Sequence, residues 1–392
     1  MFNFQPFLSD YYAIALACVL FLSLVYLAMY YGMYYFRVGR YRRKGAGGDV
    51  QTPDSKLPPV SVVLTAHNDE AWLRENLVYL LEQEYPDFEI VVVDYLSSDD
   101  TESVLKLLKD YYPRLKVVPF KEDVNLFQGK KYPLSIGIKS AKNDILLLAD
   151  PDCTPKNLRW LRGMVEGYGP QTQIVLGYCG MRRTKTFFGA LQQYDTLAYG
   201  AQYLGSALMG HPYTGSGRNL SYRRSFFFDN GGFISHYDVA DGADDLFVYR
   251  NATRQNTAVC INDDAVLTTE PTPSMATWRN ERRHRVGTRN RHSLLDRIRE
   301  SMHGAAALLF WAAAVLLLLW CAGQGWDNLL WTIVAAAVAL KLSWQIVCFA
   351  QLTKRFDGGN IHFAAPLFEI YFLVANTILI LLPLYSNRKF KK

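Results

Sequence analysis

Apolar residues fall into two patterns along this 392-residue chain. In the first they run almost unbroken. Residues 11–36 and 304–323 carry no charged side chain, 329–352 carry only Lys341, and 361–386 carry only Glu369. Each stretch reaches the roughly 20 residues that a helix needs to cross a bilayer. In the second pattern, between these stretches, short β-branched runs alternate with helical periodicity. The segments 60–64 (VSVVL), 89–93 (EIVVV), 115–120 (LKVVPF), 144–150 (DILLLAD) and 173–178 (QIVLGY) predict strands. Helices are predicted from about Glu70 to Glu84 and from about Asp99 to Tyr111. Near-continuous apolar strands separated by helices predict a mostly parallel sheet covered on both faces, an α/β domain. Residues 45–59 (GAGGDVQTPDSKLPP) read as a linker. From about 186 to 300 the signals are mixed and aromatic-rich and predict no definite element.

Composition narrows the class. Half of the residues are hydrophobic and 20% are charged, which excludes a disordered chain. The net charge of +6 matters less than its placement. Residues 279–299 hold eight arginines and two histidines against two acidic side chains, directly before an apolar span. That position suits a cationic segment facing acidic lipid and argues against nucleic acid. The six cysteines include no C-x-x-C pair, so neither a disulfide framework nor a zinc site is expected, in keeping with a reducing compartment.

Residues 1–10 contain no basic side chain, and the apolar run behind them is longer than a signal-peptide core. Arg37, Arg40, Arg42, Arg43 and Lys44 follow that run, so it is expected to be an anchor whose basic flank is cytoplasmic. The middle domain is then cytoplasmic and the protein integral to the plasma (inner) membrane. Three further spans would leave the basic tail 387–392 outside, so either the positive-inside rule is broken once or one C-terminal segment is re-entrant or interfacial. Lys341 and Glu369 are expected to pair, to snorkel, or to mark an interfacial segment.

In a sheet of this kind ligands bind beyond the carboxyl ends of the strands. Carboxylates recur there: Asp69 and Glu70 after the first run, Asp94, Asp99 and Asp100 after the second, and Asp150-Pro151-Asp152 after the fourth. Asp150 and Asp152, one residue apart, suit a magnesium or manganese ion shared with a diphosphate, although an Asp-Pro-Asp segment is also an ordinary turn. The segments VSVVLTAHNDE, EIVVVDYLSSDDT, GKKYPLSIGIKSAKNDILLLADPDC, SGRNLSYRRSFFFDNGGF, GADDLFV and NERRH occur in that order. Together they resemble the membrane-bound family-2 glycosyltransferases, inverting enzymes of GT-A fold related to cellulose-synthase-like and dolichol-phosphate-sugar synthases. The resemblance covers about residues 60–290.

The resemblance implies the following roles. Ala66, Asn68 and Glu70 lie by the nucleotide, and Asp94 recognises the base edge. Tyr95 replaces the second Asp of that motif. Lys130, with Lys131 beside it, approaches the donor, and Asp150 and Asp152 bind Mn2+ or Mg2+ and the diphosphate, with Pro151 a variant middle residue. Asp244 and Asp245 stand where the family has its catalytic pair, Asp245 being the general base. Gly232 underlies the acceptor region. Arg283 is the donor-binding arginine of a variant Q-x-x-R-W motif, with His284 and Trp278 at the acceptor.

The implied organisation is an anchor at 1–36, a basic flank and linker at 37–59, a GT-A domain at 60–278, a basic interfacial segment at 279–303, about three spans in 304–386 and a basic tail at 387–392. The expected partners are a nucleotide-diphosphate sugar, a lipid-linked or glycan acceptor and membrane lipids, in cell-envelope or polysaccharide synthesis; the oligomeric state is not implied. Alternatives are a catalytically silent membrane scaffold of the same fold and a subunit of a processive polysaccharide synthase.

Overall fold

A computed structural model describes residues 10–42, 53–120, 129–239, 242–324 and 329–386. Most of the linker and the basic tail 387–392 lie outside the described residues. The chain divides into two compact units, Met1–Arg40 with His292–Lys392, and Tyr41–Arg291. Helix α1 (Tyr11–Arg40) opens the first unit and contains a π-helical stretch at Tyr31–Phe36. Asp10 caps it by accepting from the Tyr12 and Ala13 N–H groups, which satisfies two of the helix's free amides.

The second unit begins in strict alternation: β1 (Val60–Ala66), α2 (Glu70–Leu81), β2 (Phe88–Tyr95), α3 (Thr101–Tyr111), β3 (Leu115–Phe120), α4 (Lys131–Ser140) and β4 (Ile145–Leu148). β1 lies between β2 and β4, parallel to both, and β3 pairs in parallel with β2. Residues on both faces of β2 are buried, Ile90 through Val93 all being inaccessible, which is why its apolar run shows no alternation. Helix α4 packs flush on the sheet through Gly137, where a Cβ would come within 2.6 Å of a Val63 methyl. That close approach brings the start of α4, with Lys130 and Lys131, to the carboxyl edge of the sheet.

The chain continues through β5 (Cys153–Pro155), α5 (Trp160–Val165), β6 (Ile174–Leu176), β7 (Tyr178–Met181), α6 (Phe187–Leu208), β8 (Leu220–Arg223), α7 (Arg224–Asp229), α8 (Asp245–Asn251), β9 (Thr257–Val259), β10 (Val266–Thr269) and α9 (Met275–Gly287). The main sheet has the order β3-β2-β1-β4-β8-β6-β9, and a small sheet has the order β5-β10-β7. The run at 173–178 does form a strand, but not beside β4. β8 lies between them, antiparallel to both. Its sequence LSYR lacks an apolar run because Ser221 is buried and satisfied, donating to the Leu146 carbonyl at 2.7 Å and bonding the Tyr168 hydroxyl at 2.7 Å.

The first unit is completed by α10 (Leu294–Gly323), α11 (Leu330–Arg355) and α12 (Ala365–Ser386). Among the described residues, α1, α10 and α11 are long and apolar enough to cross a membrane. α10 runs antiparallel to α1: the Tyr30 ring stacks on His303 at 4.2 Å, while Trp320 Nε1 at the far end donates to Asp10. α11 runs parallel to α1, with Trp344 Nε1 on the Ala28 carbonyl and Phe349 against Tyr35. The two lone charges of the apolar stretches meet. Lys341 and Glu369 form a buried ion pair, joined by the Tyr31 hydroxyl on Glu369 and by Gln345, which accepts from Lys341 at 2.8 Å. Partnering of this kind is what makes intramembrane charge tolerable.

Candidate active site

The site is assembled at the carboxyl edge of β1, β2 and β4. The β1–α2 and β2–α3 loops are laced together. Asn68 adopts a left-handed conformation with φ of 57°. Its Oδ1 accepts from Ser98 N and Oγ, and its own N–H donates to Ser97 Oγ. Asp99 accepts from Glu70 N at 3.2 Å, and Thr101 Oγ1 accepts from Asp69 N at 3.1 Å. Asn68 and Asp99 therefore shape the rim through each other's loops. Ala66 is buried beneath it, and Glu70 pairs with Arg74 one helical turn on. At the end of β2, Asp94 is buried, and its Oδ1 has no hydrogen-bond partner among the described residues. Tyr95 stacks on Phe120 at 5.5 Å, and Tyr132 meets Phe120 edge-on, giving this side an aromatic wall.

Asp150 and Asp152 follow β4. Asn76 Nδ2 holds the Pro151 carbonyl at 3.1 Å, and Cys153 N closes the turn on the Asp150 carbonyl. Pairing of β5 with β10 sets Thr269 opposite Cys153, and Thr269 Oγ1 donates to Asp152 Oδ2 at 2.7 Å. Two cations attend the pair. Lys130 Nζ lies 3.0 Å from Asp150 Oδ1. Arg218 reaches both carboxylates, with Nε 3.6 Å from Asp150 Oδ2 and Nη2 3.2 Å from Asp152 Oδ2. Burial alone would raise the Asp150 carboxyl, but Lys130 and Arg218 hold it below the usual carboxylate range. Asp69 stands in the same field. Burial lifts its carboxyl above its ordinary value, opposed by the His67 N–H and Lys130 and reinforced by Asp150 and Asp152.

Among the described residues no cluster of three or more His, Cys, Asp or Glu side chains could hold a metal by itself. The donor set is two carboxylates, each about a fifth exposed and both reached by one guanidinium. A common cation position on all-oxygen ligands, completed by water and phosphate, fits magnesium or manganese.

Asp244 and Asp245 begin α8. Asp244 Oδ1 accepts from Asp245 N at 2.9 Å, and its Oδ2 accepts from Gly217 N at 2.6 Å. Asp245 is buried, with Oδ1 on Leu246 N. Gly217 and Arg218 are adjacent, so one dipeptide ties the Asp244-Asp245 pair to the Asp150–Asp152 pair. The residue after it, Asn219, is anchored in the core: its Nδ2 donates to the Tyr178 and Ala265 carbonyls, and its Oδ1 accepts from Trp160. Sequence reasoning placed the two carboxylate pairs here but missed Arg218 and Thr269. Arg218 lies inside the SGRNLSYRRSFFFDNGGF segment, but nothing in that segment marks it as a partner of the carboxylates, and Thr269 belongs to no segment singled out.

The remaining expected residues are distributed as follows. Lys131 is buried and donates to the His236 and Val239 carbonyls, holding that loop. Gly232 has φ of 54° and sits against Phe227, whose ring a Cβ would approach to 2.8 Å. On α9, Trp278 is buried edge-on to Phe188. Arg282 and Arg285 both pair with Asp195 of α6, and Arg285 also lies over the Tyr199 ring. Arg283 is exposed, and the side chain of His284 lies outside the described part of the chain.

Burial beside Lys131 and Arg250 depresses the His236 imidazole to about 4, partly offset by Asp238. An unfolded histidine takes up its proton near 6.5, so between these values the unfolded state binds more protons and stability falls as pH falls. The expected cost is at most about 3 kcal/mol, complete near pH 4. Thermal melting of the detergent-solubilised protein between pH 7 and 4 should show that loss, and His236→Gln should flatten it.

Residues 61–230 match the family model for glycosyl transferase family 2. Similar curated proteins are the probable glycosyltransferase YdaM of Bacillus subtilis, 33% identical over 105 residues (26% of this chain and 25% of that protein), and the beta-monoglucosyldiacylglycerol synthase of Synechocystis, 31% identical over 128 residues (32% and 26%). The chain thus matches about a quarter of the length of these relatives. Among solved structures, the mannosyltransferase PcManGT from Pyrobaculum calidifontis, in complex with GDP-Man and Mn2+, superposes with a TM-score of 0.53 at 19% identity, covering 92% of this chain and 97% of that one. At that identity the likeness is one of fold, the GT-A fold.

Proposed function

The chain carries a family-2 glycosyltransferase domain of GT-A fold, and on that premise we propose that it is a membrane-anchored, metal-dependent, inverting transferase. It would move a sugar from a nucleotide-diphosphate donor to a lipid-linked or glycan acceptor in cell-envelope or polysaccharide synthesis. The domain would face the cytoplasm, with α1, α10 and α11 in the inner membrane. One observation carries the reading: Gly217-Arg218 holds two pairs of carboxylates together at the sheet edge. A silent scaffold would not need to retain both pairs.

In this reading Asp94, with an unsatisfied buried oxygen, takes an N–H of the nucleotide base, and the Tyr95–Phe120 wall flanks it. Asp150 and Asp152 would hold Mn2+ or Mg2+, which supplies charge neutralisation for the departing diphosphate. Lys130 stands beside Asp150 and adds a fixed positive charge where negative charge develops. Arg283, exposed on α9, would add a donor-binding guanidinium in this reading. Asp245 accepts the proton of the acceptor hydroxyl as that oxygen attacks the anomeric carbon, and a single displacement inverts that centre. Asp244 orients the base through the Asp245 N–H and Gly217.

The test is turnover by the detergent-purified protein across a panel of uridine- and guanosine-diphosphate sugars, with and without Mn2+ or Mg2+. Metal-dependent turnover of one donor, with an inverted product by NMR, is the expected result. No turnover of any donor by a well-folded sample, with or without glycan and lipid acceptors, would favour the scaffold reading.

A further inference from the structure

We propose that Arg218 is a built-in counter-cation that makes divalent-metal binding depend on the donor's diphosphate. The inference rests on the metal role given to Asp150 and Asp152 above. Arg218 is positioned as a competitor for the same atoms: it lies 3.6 Å from Asp150 Oδ2 and 3.2 Å from Asp152 Oδ2. Its side chain is 30% accessible, so it can leave without opening the core. Its backbone cannot leave, because Gly217 N is held by Asp244 at 2.6 Å and the Asn219 side chain is buried on three partners. Any yielding is therefore by side-chain torsion, with the guanidinium swinging about a fixed root.

Charge balance gives the direction of the coupling. Asp69, Asp150 and Asp152 face Lys130 and Arg218, so the pocket carries a small net negative charge. A divalent cation arriving alone would reverse that sign and place itself beside two fixed positive charges. Arriving with a diphosphate that carries about two negative charges, it leaves the sign unchanged, and the displaced guanidinium gains a phosphate partner suited to its planar fork. Arg218 therefore weakens metal binding without donor and strengthens it with donor. This keeps the carboxylates neutralised and the free enzyme from trapping metal.

The experiment measures Mn2+ affinity, by the electron paramagnetic resonance signal of free Mn2+, for the full-length protein in detergent. The probes are Mn2+ alone, then Mn2+ with uridine or guanosine 5′-diphosphate. Arg218→Gln and Arg218→Ala are expected to bind Mn2+ alone about tenfold more tightly than wild type, the scale of one partly solvated charge acting over a few ångström. The tightening by nucleotide is expected to shrink by at least that factor, because the variants also lose the phosphate partner, and by linkage Mn2+ should tighten nucleotide binding by the same reduced amount. Arg218→Lys, which keeps the charge, is expected to bind Mn2+ alone as wild type does. Unchanged or weaker binding of Mn2+ alone by the neutral variants would overturn the proposal, as would tightening in the lysine variant. If Asp152→Asn abolishes Mn2+ binding in the same series, the metal role stands even where the Arg218 role falls. If wild type binds no Mn2+ with either nucleotide, both fall.

Discussion

Asp152→Asn is expected to lower metal-dependent transfer about a thousandfold while leaving the fold intact, the scale seen when one group stabilising transition-state charge is removed. The substitution is nearly isosteric. An asparagine Oδ1 can still accept from Thr269 Oγ1, so the tie between the β4 turn and β10 survives. What disappears is one negative charge that faces Arg218 and that, on the proposed mechanism, would hold the metal together with Asp150. Thermal melting should therefore move little, while the dependence of rate on Mn2+ should collapse. A variant that transfers at the wild-type rate would remove Asp152 from the leaving-group side of the mechanism. One that melts far below wild type would mean that the turn needs the charge for its own conformation.

The second large effect is expected at the opposite side of the site. Asp245→Asn should reduce transfer by about 10²–10⁴-fold, the usual worth of a positioned general base, with little change in the donor's KM. Asp244→Asn should behave differently. Asp244 accepts from two backbone N–H groups, and an amide has one oxygen for the two. The loop bearing Gly217 and Arg218 should loosen, so donor KM and kcat should change together. Steady-state kinetics of the two variants separate these outcomes. Equal effects on kcat alone would erase the distinction between base and positioning residue.

The first half of the domain was legible because its physics is local. β1, β2 and β4 are buried on both faces, so their apolar runs are continuous, and the carboxylates at their ends break those runs abruptly. The second half was not, because polar groups there are buried with their partners. Ser221 in β8 interrupts the apolar pattern yet satisfies itself across β4. Lys130 and Lys131 look alike in sequence, but one meets Asp150 and the other is buried under the His236 loop. On α9 the motif points to Arg283, whereas the arginines that pack on the domain are Arg282 and Arg285, three apart and hence on one helix face. Arg218 is set by long-range anchoring of its neighbours, Gly217 N on Asp244 and the Asn219 side chain in the core, which no local pattern encodes.

The ion pair of the first unit also imposes an order on biosynthesis. Lys341 leaves the ribosome 28 residues ahead of Glu369. If α11 enters a bilayer as it is made, it would during that interval offer the lipid an ammonium group with no carboxylate to answer it, an expensive state in hydrocarbon. Arrival of α12 ends it, and the Tyr31 hydroxyl of α1 then joins α1 to α12 through Glu369. The helices of this unit are therefore not interchangeable hydrophobic rods: α1, α11 and α12 are fastened to one another through a single carboxylate.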